Sequence, residues 1–289
     1  MSANGVAVVG LVPHRDRAIT HAMARRAADW LVARGIEVRV QTDDAGACGL
    51  VEHATADDAF TRGLDLVISL GGDGTMLRAV DLVYETGAAV LGVNVGQMGY
   101  LAEVEPPDLE DALARVLAGD FEIDERMVLE VVVGSASTPG GRWWALNEAV
   151  IEKTRTGRLV RLEVAINGAF FTTYAADGVI VATPTGSTAY SFSARGPIVS
   201  PRHRCLLLTP VSPHMLFDRS LVLDADEELR FTVVDQRNVV LTLDGRELCE
   251  LDTGDTVTCT AGPKPARMVT FGPRDFHQIL KAKFGLADR

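Results

Sequence analysis

The sequence predicts two domains: an α/β domain built on a parallel sheet, followed by a mainly β domain. In residues 1–120, apolar runs alternate with segments of helical periodicity, which is the pattern of a parallel sheet covered by helices. In residues 121–270, short β-branched runs recur roughly every ten residues, as in antiparallel sheets. A last helical pattern lies within residues 271–289, and we expect this segment to pack back on the first domain.

Composition and charge limit the classes of partner. The 289 residues are 47% hydrophobic and 23% charged, as in an ordinary globular protein. The formal net charge of -11 argues against nucleic acid as the main partner. No apolar run is long enough for a membrane span, and no secretory signal pattern is present. We expect a cytoplasmic protein with no metal-ligating side chains and with four reduced, unpaired cysteines: Cys48, Cys205, Cys249 and Cys259.

The predicted elements of the first domain follow one another in strand–helix order. Strands are predicted at residues 6–12, 36–40, 64–70 and 88–95, and helices at residues 17–34, from 75 onward, and at 108–118. The inner face of the first helix is expected to contain Ala18, Ala22 and Leu31. This order indicates a Rossmann-like sheet, in which ligands bind beyond the carboxyl ends of the strands. Two glycine-rich turns, 71–75 and 96–99, occupy such positions.

The turn after the third strand is the first candidate site. It consists of Gly71, Gly72, Asp73, Gly74 and Thr75. Glycines let a ligand approach the main chain, and the amides at the start of a helix attract anions such as phosphate. A turn that only holds phosphate gains nothing from the negative charge of Asp73, so this carboxylate suggests chemistry. The alternative is an ordinary strand-to-helix turn, in which Gly and Asp are common.

The second domain is predicted as a series of strands with two tight hairpins. Asn167-Gly168 and Asp244-Gly245 are typical of two-residue hairpin turns. The strands are predicted at residues 128–133, 143–152, 159–166, 169–174, 178–182, 206–208, 229–234, 239–243 and 256–260.

Two polar segments stand out in this domain. After the strand at 178–182 comes a turn rich in hydroxyls, residues 183–188, followed by Tyr190. The hydroxyls could cap a short helix, or could bind a sugar or base with Tyr190 as an apolar wall. Asn147-Glu148 interrupts an apolar strand; this pair either meets a partner or marks a solvated strand end. Arg158, in a polar loop, is more typical of a solvated residue.

Three motifs together resemble the NAD kinase family. Its members combine, in this order, a Gly-Gly-Asp-Gly-Thr turn, an Asn-Glu pair, and an Asp-Gly strand that leads into Thr-Pro-Thr-Gly-Ser-Thr-Ala-Tyr. Here these are residues 71–75, 147–148, 177–178 and 183–190. The first motif is shared with diacylglycerol and sphingosine kinases, whereas the last is far more specific. The resemblance covers essentially the whole chain and implies the α/β plus β-rich fold of NAD kinases and diacylglycerol kinases.

The resemblance implies an ATP-dependent kinase that phosphorylates the 2′-hydroxyl of the adenosine ribose of NAD and gives NADP. Asp73 would be the general base, Asn147 and Glu148 would contact the adenosine half of NAD, and Asp177 the nicotinamide part. The residues implied in phosphate binding are Gly71, Gly72, Gly74 and Thr75. Those implied in NAD binding are Asp73, Gly74, Asn147, Glu148, Arg158, Ala175, Asp177, Thr188, Ala189, Tyr190, Ser191, Phe192 and Ser193.

The resemblance also implies cofactors and an assembly. ATP would arrive with a divalent cation, Mg²⁺, held largely by the nucleotide. A homodimer or homotetramer is expected, with the Asp177 region as a place that a second subunit could complete. Polyphosphate is an alternative donor and NADH an alternative acceptor.

Two positions depart from the family pattern. Arg195 stands where many members have Gly, and its side chain costs about 1 kcal/mol if the backbone φ there is positive. Ala175 stands where some members have Arg, which bears on the choice between NAD and NADH.

Three other functions remain open at this level. A lipid kinase of the diacylglycerol type would share the glycine turn but would leave residues 183–190 unexplained, and no amphipathic membrane-binding helix is seen. A nucleotide-sensing module without catalysis is disfavoured by the intact Asp73. A hydride-transferring dehydrogenase is disfavoured because the turn lacks the G-x-G-x-x-G spacing.

Overall fold

The computed structural model describes residues 5–96, 99–135, 140–154, 159–234, 239–272 and 275–286. Two compact units are formed, each with its own core. The first contains Met1–Glu125 together with Ala266–Arg289, and the second contains Arg126–Pro265. The chain therefore leaves the first unit once and returns to it near its end.

The first unit begins with alternating strands and helices. In chain order the elements are β1 (Val8–Pro13), α1 (Ala18–Val32), β2 (Glu37–Gln41), α2 (Thr42–Cys48), a 3-10 turn (Val51–His53), β3 (Ala54–Thr55), α3 (Asp57–Phe60), β4 (Leu66–Gly71), α4 (Asp73–Val83), β5 (Ala89–Asn94), a 3-10 turn (Pro106–Asp108), α5 (Leu109–Ala118) and β6 (Glu122–Arg126).

The second unit is almost entirely β. Its elements are β7 (Leu129–Gly134), β8 (Gly141–Ala145), β9 (Glu148–Lys153), β10 (Val160–Ile166), β11 (Ala169–Ala176), β12 (Gly178–Ala182), a 3-10 turn (Thr185–Thr188), α6 (Tyr190–Ser193), β13 (Cys205–Val211), β14 (Leu221–Asp224), β15 (Leu229–Val233), β16 (Val239–Leu243), β17 (Arg246–Leu251) and β18 (Thr256–Ala261).

The chain returns to the first unit through β19 (Ala266–Thr270) and α7 (Phe276–Phe284). β19 adds to the first sheet beside β5, with Met268 opposite Val90 in parallel register. The return therefore begins five residues before the predicted segment 271–289. The helix α7 begins after Asp275, whose carboxylate accepts hydrogen bonds from two amides of the first turn, as helix caps do.

The first sheet has the strand order β3-β2-β1-β4-β5-β19-β6. β1 to β5 pair in parallel, and β4 and β5 are buried along their whole length. Such burial explains why both read as continuous apolar runs in the sequence. The carboxyl ends of β1, β4 and β5 lie side by side, because Pro13 pairs with Leu70 and Gly71 pairs with Asn94.

The buried face of α1 differs from the predicted one. Ala18 and Ala22 are exposed, and they lie on the opposite stripe of the helix from Leu31. The stripe that packs on the sheet consists of Thr20, Met23, Ala24, Ala27, Ala28 and Leu31. An alanine-rich helix offers several possible apolar stripes, and packing against the sheet selects one of them.

The second unit contains two six-stranded sheets whose neighbouring strands pair antiparallel. Their orders are β11-β10-β15-β18-β7-β8 and β14-β13-β12-β9-β16-β17. Both predicted hairpins are present, and their turn residues all have positive φ: 52° and 77° at Asn167-Gly168, and 49° and 78° at Asp244-Gly245. These are the angles of a type I′ turn, which Asn-Gly and Asp-Gly favour.

The single strand predicted at residues 143–152 is wrong. The structure has two strands there. β8 ends just before Leu146-Asn147 and β9 begins just after it, and the two strands belong to different sheets. Asn147 is thus the point at which the chain passes from one sheet to the other, and the pair Asn147-Glu148 marks the start of a strand rather than its interior.

Candidate active site

The glycine turn of the first unit leads directly into a helix. β4 ends at Gly71, Gly72 is the N-cap, and α4 begins at Asp73, so Asp73 is the first helical residue rather than the centre of a turn. A carboxylate at this position interacts favourably with the positive end of the helix dipole. Gly71 is packed against Thr75, where a Cβ atom would lie 2.2 Å from the threonine Oγ1. Only glycine fits at residue 71.

The Asp73 carboxylate is held by the segment that follows β5. Its Oδ2 accepts a hydrogen bond from the Tyr100 amide at 2.9 Å, and its Oδ1 accepts one from the Leu101 amide at 3.1 Å. Each oxygen keeps further lone-pair directions for a substrate proton. The sequence placed the turns at 71–75 and 96–99 at the same edge of the sheet. It gave no sign that one carboxylate joins them.

Gly99 lies against the same carboxylate. A Cβ atom on Gly99 would be 2.1 Å from Asp73 Oδ1, and the backbone of Gly99 does not have the positive φ that would exclude alanine. We therefore expect Gly99→Ala to fold but to push the carboxylate out of place, because a misplacement of about 1 Å can lower turnover about 100-fold. Steady-state kinetics together with a thermal melt test this. An unchanged kcat would contradict the expected contact.

Asn94 completes this edge of the sheet, and sequence reasoning missed it. The residue is 5% exposed, and its Nδ2 donates to Glu105 Oε1 at 3.0 Å. Its Oδ1 is buried and finds no hydrogen-bond partner among the described residues. Asn94 pairs directly with Gly71 in the sheet. A polar residue that ends an apolar strand beside a glycine turn was the signal available in the sequence.

In the second unit, Asp244 organises the Asn147-Glu148 segment. Its carboxylate accepts hydrogen bonds from three consecutive amides: Leu146 at 2.7 Å, Asn147 at 2.8 Å and Glu148 at 3.0 Å. The sequence indicated Asp244 only as a hairpin residue. The type I′ turn directs the carboxylate toward the break between β8 and β9. There the carboxylate accepts hydrogen bonds from the amides of the segment that passes from one sheet to the other.

Glu148 is a buried carboxyl group. It is 6% exposed, and its Oε2 has no hydrogen-bond partner among the described residues. The pKa of Glu148 is raised to about 8, mainly by burial and also by the nearby Asp244 charge, while a hydrogen bond from the Tyr190 amide lowers it in part. At neutral pH Glu148 is therefore largely protonated, and its hydroxyl is a hydrogen-bond donor without a protein acceptor in the described part of the chain.

This raised pKa predicts a pH dependence of stability. The folded state keeps the Glu148 proton while the unfolded chain releases it, so the free energy of unfolding falls as pH rises from about 4.5 to about 8. The slope from one group is at most about 1.4 kcal/mol per pH unit. Glu148→Gln is neutral at every pH and should flatten this part of the profile. Urea unfolding of both proteins at pH 5, 6.5 and 8 measures the difference; parallel profiles would contradict the pKa.

The hydroxyls of residues 183–188 are largely occupied within the fold. Thr183 Oγ1 donates to the Leu146 carbonyl at 2.6 Å and accepts from the Gly186 amide at 3.2 Å. Ser187 Oγ donates to the Val199 carbonyl at 3.1 Å and accepts from the Val199 amide at 3.0 Å. The excess of hydroxyls over what one cap needs therefore has a structural explanation at Thr183 and Ser187.

The next residues divide into buried and exposed ones. Ser191 is fully buried, and its hydroxyl pairs with Thr209 Oγ1 at 3.1 Å, so its side chain faces the core. Tyr190 and Phe192 are each 38% exposed, and Ser193 is also exposed, while Thr188 and Ala189 are partly buried. Burial raises the pKa of the Tyr190 phenol, as do the charges of Glu152 and Asp177. The Tyr190 phenol is therefore within reach of the charges of these two carboxylates.

Asp177 follows β11, and its carboxylate forms an ion pair with Lys153. Both side chains are partly exposed, at 32% and 25% respectively. Ala175 lies on β11 directly opposite Arg161 of β10, so an arginine is present on the neighbouring strand. Arg158 lies outside the described residues.

Arg195 has a φ of 68° and ends the helix α6 in the left-handed conformation. A side chain in this conformation costs about 1 kcal/mol compared with glycine. We therefore expect Arg195→Gly to raise the free energy of unfolding by about 1 kcal/mol. Arg195→Ala retains the strain and should bring no gain. Urea unfolding of the three proteins checks this, and equal stability of the Ala and Gly variants would contradict it.

Comparisons with known proteins decide the family. The model of the ATP-NAD kinase N-terminal domain matches residues 9–121, and that of the ATP-NAD kinase C-terminal domain matches residues 146–271. The chain belongs to the NAD kinase family. The NAD kinase of Heliobacterium modesticaldum is 40% identical over 278 residues, which are 95% of this chain and 97% of the relative. That of Leifsonia xyli subsp. xyli is 45% identical over 225 residues, 77% of this chain and 74% of the relative.

Solved structures of NAD kinases share the fold. Yeast NADH kinase, crystallised with NADH, has a TM-score of 0.91 at 25% identity and covers 99% of this chain and 90% of its own. An NAD kinase from Archaeoglobus fulgidus, crystallised with ATP, has a TM-score of 0.71 at 22% identity and covers 96% of this chain and 97% of its own. The predicted family, fold class and enzyme class are confirmed: the chain is an NAD-phosphorylating phosphotransferase with an alcohol group as acceptor.

In the described part of the chain, none of the helices is both long and apolar enough to span a membrane. The same residues contain no group of three or more His, Cys, Asp or Glu side chains placed to hold a metal ion.

Proposed function

We propose that the chain transfers the γ-phosphoryl group of ATP to the 2′-hydroxyl of the adenosine ribose of NAD, with Asp73 as the general base. The observation that carries this proposal is the fixed carboxylate of Asp73 at the start of α4. The amides of Tyr100 and Leu101 orient it. The two amide donors fix the position of the carboxylate, and an aspartate carboxylate can accept a proton.

The proposed step has a simple proton balance. As the ribose hydroxyl oxygen bonds to the γ-phosphorus, the bond to the ADP oxygen breaks and the hydroxyl proton passes to Asp73. A carboxylate is too weak a base for a free sugar hydroxyl, but it can accept the proton once the attack has begun and the hydroxyl has become more acidic. General-base help of this kind contributes about 10²–10⁴-fold in rate.

The phosphate side of the reaction is assigned to the glycine turn. The first-turn amides of α4 suit an anion, and Gly71, Gly72 and Gly74 present no side chains there. Thr75 is buried against Gly71 and is assigned to shaping the turn. A divalent cation, Mg²⁺, would enter as part of the nucleotide substrate and lower the charge of its phosphates. Polyphosphate remains an alternative donor.

NAD binding is assigned to the second unit. The exposed faces of Tyr190 and Phe192 offer apolar surface for the adenine ring. Asn147 has its backbone fixed and its side-chain amide available, and Glu148 offers a protonated carboxyl group; both suit ribose hydroxyls. Ser193 and Asp177 are also assigned to NAD binding. Thr188, Ala189 and Ser191 would contribute through backbone atoms, since Ser191 turns its hydroxyl to Thr209.

Three further properties belong to the proposal. NADH is an additional acceptor, which the similarity to yeast NADH kinase in complex with NADH supports. The assembly is a homodimer or homotetramer, and the compartment is the cytoplasm. The Asp177–Lys153 ion pair and Ala175 would bear on the choice between NAD and NADH.

The test is direct. Purified protein is incubated with MgATP and NAD, and the product is measured with a dehydrogenase specific for NADP. NADP formation supports the proposal. Diacylglycerol phosphorylation instead would favour the lipid kinase alternative, and NAD binding in calorimetry without turnover would favour the nucleotide-sensing module. Parallel reactions with NADH, GTP and polyphosphate define the range of acceptors and donors.

A further inference from the structure

The carboxyl edge of the first sheet carries three arginines that the motifs did not include. Arg15 and Arg17 lie in the connection from β1 to α1, and Arg78 lies on α4. This connection leaves the sheet beside the glycine turn, because Pro13 pairs with Leu70 and the His14 amide donates to the Leu70 carbonyl at 2.9 Å. The three side chains differ in how they are held.

Arg78 is held by several contacts within the fold. It donates to both oxygens of Asp44, at 2.8 Å and 3.3 Å, and to the Pro13 carbonyl at 2.6 Å. The Asp44 side chain is only 1% exposed. A buried carboxylate needs a partner of this kind. The Asp44–Arg78 pair therefore fixes the end of β1 against α4, one turn after the glycine motif.

Arg15 is held on the same carboxylate in a different way. Its Nε donates to Asp44 Oδ1 at 3.3 Å, while its side chain is 61% exposed. Among the described residues its side-chain hydrogen bond uses Nε, and its terminal N–H groups have no partner there. Asp44 thus accepts hydrogen bonds from both Arg15 and Arg78. Its single negative charge offsets only one of the two arginines.

Arg17 lies on the other side of the turn. Its Nη1 donates to the Val95 carbonyl at 2.8 Å, and the Val95 amide donates to the Gly71 carbonyl at 2.9 Å. A Cβ atom on Gly96 would be 2.8 Å from the same Nη1. The guanidinium is therefore anchored one peptide away from the first residue of the glycine motif, and it has further N–H groups to donate.

Arg15 and Arg17 bring two guanidinium groups to this edge, in a protein with a net charge of -11. The charge of Arg78 is offset by Asp44, with which it forms an ion pair. We propose that Arg15 and Arg17 bind the phosphate chain of the donor, and that Arg78 and Asp44 position them. This rests on the proposed function, and it assigns the ligand as three or more linked phosphoryl groups rather than as a base or sugar.

The experiment compares Arg15→Ala, Arg17→Ala and Arg17→Lys with the wild type. We expect each alanine variant to raise the KM for ATP roughly 10-fold or more, as the loss of one charge-assisted hydrogen bond does, with the KM for NAD within twofold. Arg17→Lys keeps the charge, so the KM for ATP should rise less than in Arg17→Ala. In the alanine variants the KM for GTP and for polyphosphate should rise as much as the KM for ATP, because the three donors share only the phosphate chain.

Arg26→Ala is the matched control, because it removes one arginine charge from the helix α1 that follows Arg15 and Arg17, where Arg26 is paired with Glu110 at 2.7 Å. It should leave the KM for every donor unchanged. Calorimetry with inorganic tripolyphosphate adds a readout without turnover, so weaker binding by Arg17→Ala supports the proposal even if the wild type made no NADP. A donor KM within twofold of wild type in both alanine variants, or an equal rise in the KM for NAD, overturns it.

Discussion

Asp73→Asn is expected to lower kcat about 10²–10⁴-fold, while the KM values for ATP and NAD change little. The substitution keeps the shape of the side chain but removes its ability to take the proton of the ribose hydroxyl. The interaction is made only in the transition state, so the loss should appear in kcat and kcat/KM equally. Initial rates of NADP formation at saturating ATP and NAD measure it.

The structure shows which control this experiment needs. The two Asp73 oxygens accept from the Tyr100 and Leu101 amides, whereas asparagine has one acceptor oxygen and would place an NH₂ group against one of these donors. Part of any loss would therefore come from displacement of the loop. Calorimetric NAD binding and a thermal melt separate the two effects. If Asp73→Asn turned over near the wild-type rate, the general-base role would be wrong.

The local patterns of the sequence predicted much of the fold. Buried strands such as β4 are apolar along their length, and the two hairpins carry residues that tolerate positive φ. What local patterns could not predict depends on distant partners. The division of residues 143–152 into two strands requires Asp244, about a hundred residues away in the chain, and the placement of β19 requires β5.

The sequence predicted only part of the candidate site, because local patterns do not reveal partners that are distant in the chain. Asp73 and Tyr190 were identified by residue type, because a carboxylate within a phosphate-binding turn suggests chemistry and an aromatic ring after a polar turn can form an apolar wall. The resemblance implied Ser191 in NAD binding without saying which of its atoms take part, and the structure shows that its hydroxyl pairs with Thr209 in the core. Asp44 was not singled out, since one acidic residue in a polar segment gives no sign that it is buried between two arginines.

Asp244→Ala is expected to lower the free energy of unfolding of the second unit by about 3–5 kcal/mol. Three amides would lose their acceptor, and each unpaired buried donor costs about 1–3 kcal/mol. Alanine would also occupy a φ of 49°, which adds about 1 kcal/mol of strain. Urea unfolding followed by the fluorescence of Trp143 and Trp144, on the strand before the break, measures the change.

Two further variants separate these contributions. Asp244→Gly removes the carboxylate without the strain and should be about 1 kcal/mol more stable than Asp244→Ala. Asp244→Asn tolerates the positive φ and keeps one acceptor oxygen, so it should lie between wild type and Gly. All three remove the charge that helps to raise the Glu148 pKa, so that pKa should fall below about 8. A loss under about 1 kcal/mol in Asp244→Ala would mean that the three amides find other acceptors. In that case the Asn147-Glu148 segment would not depend on the hairpin.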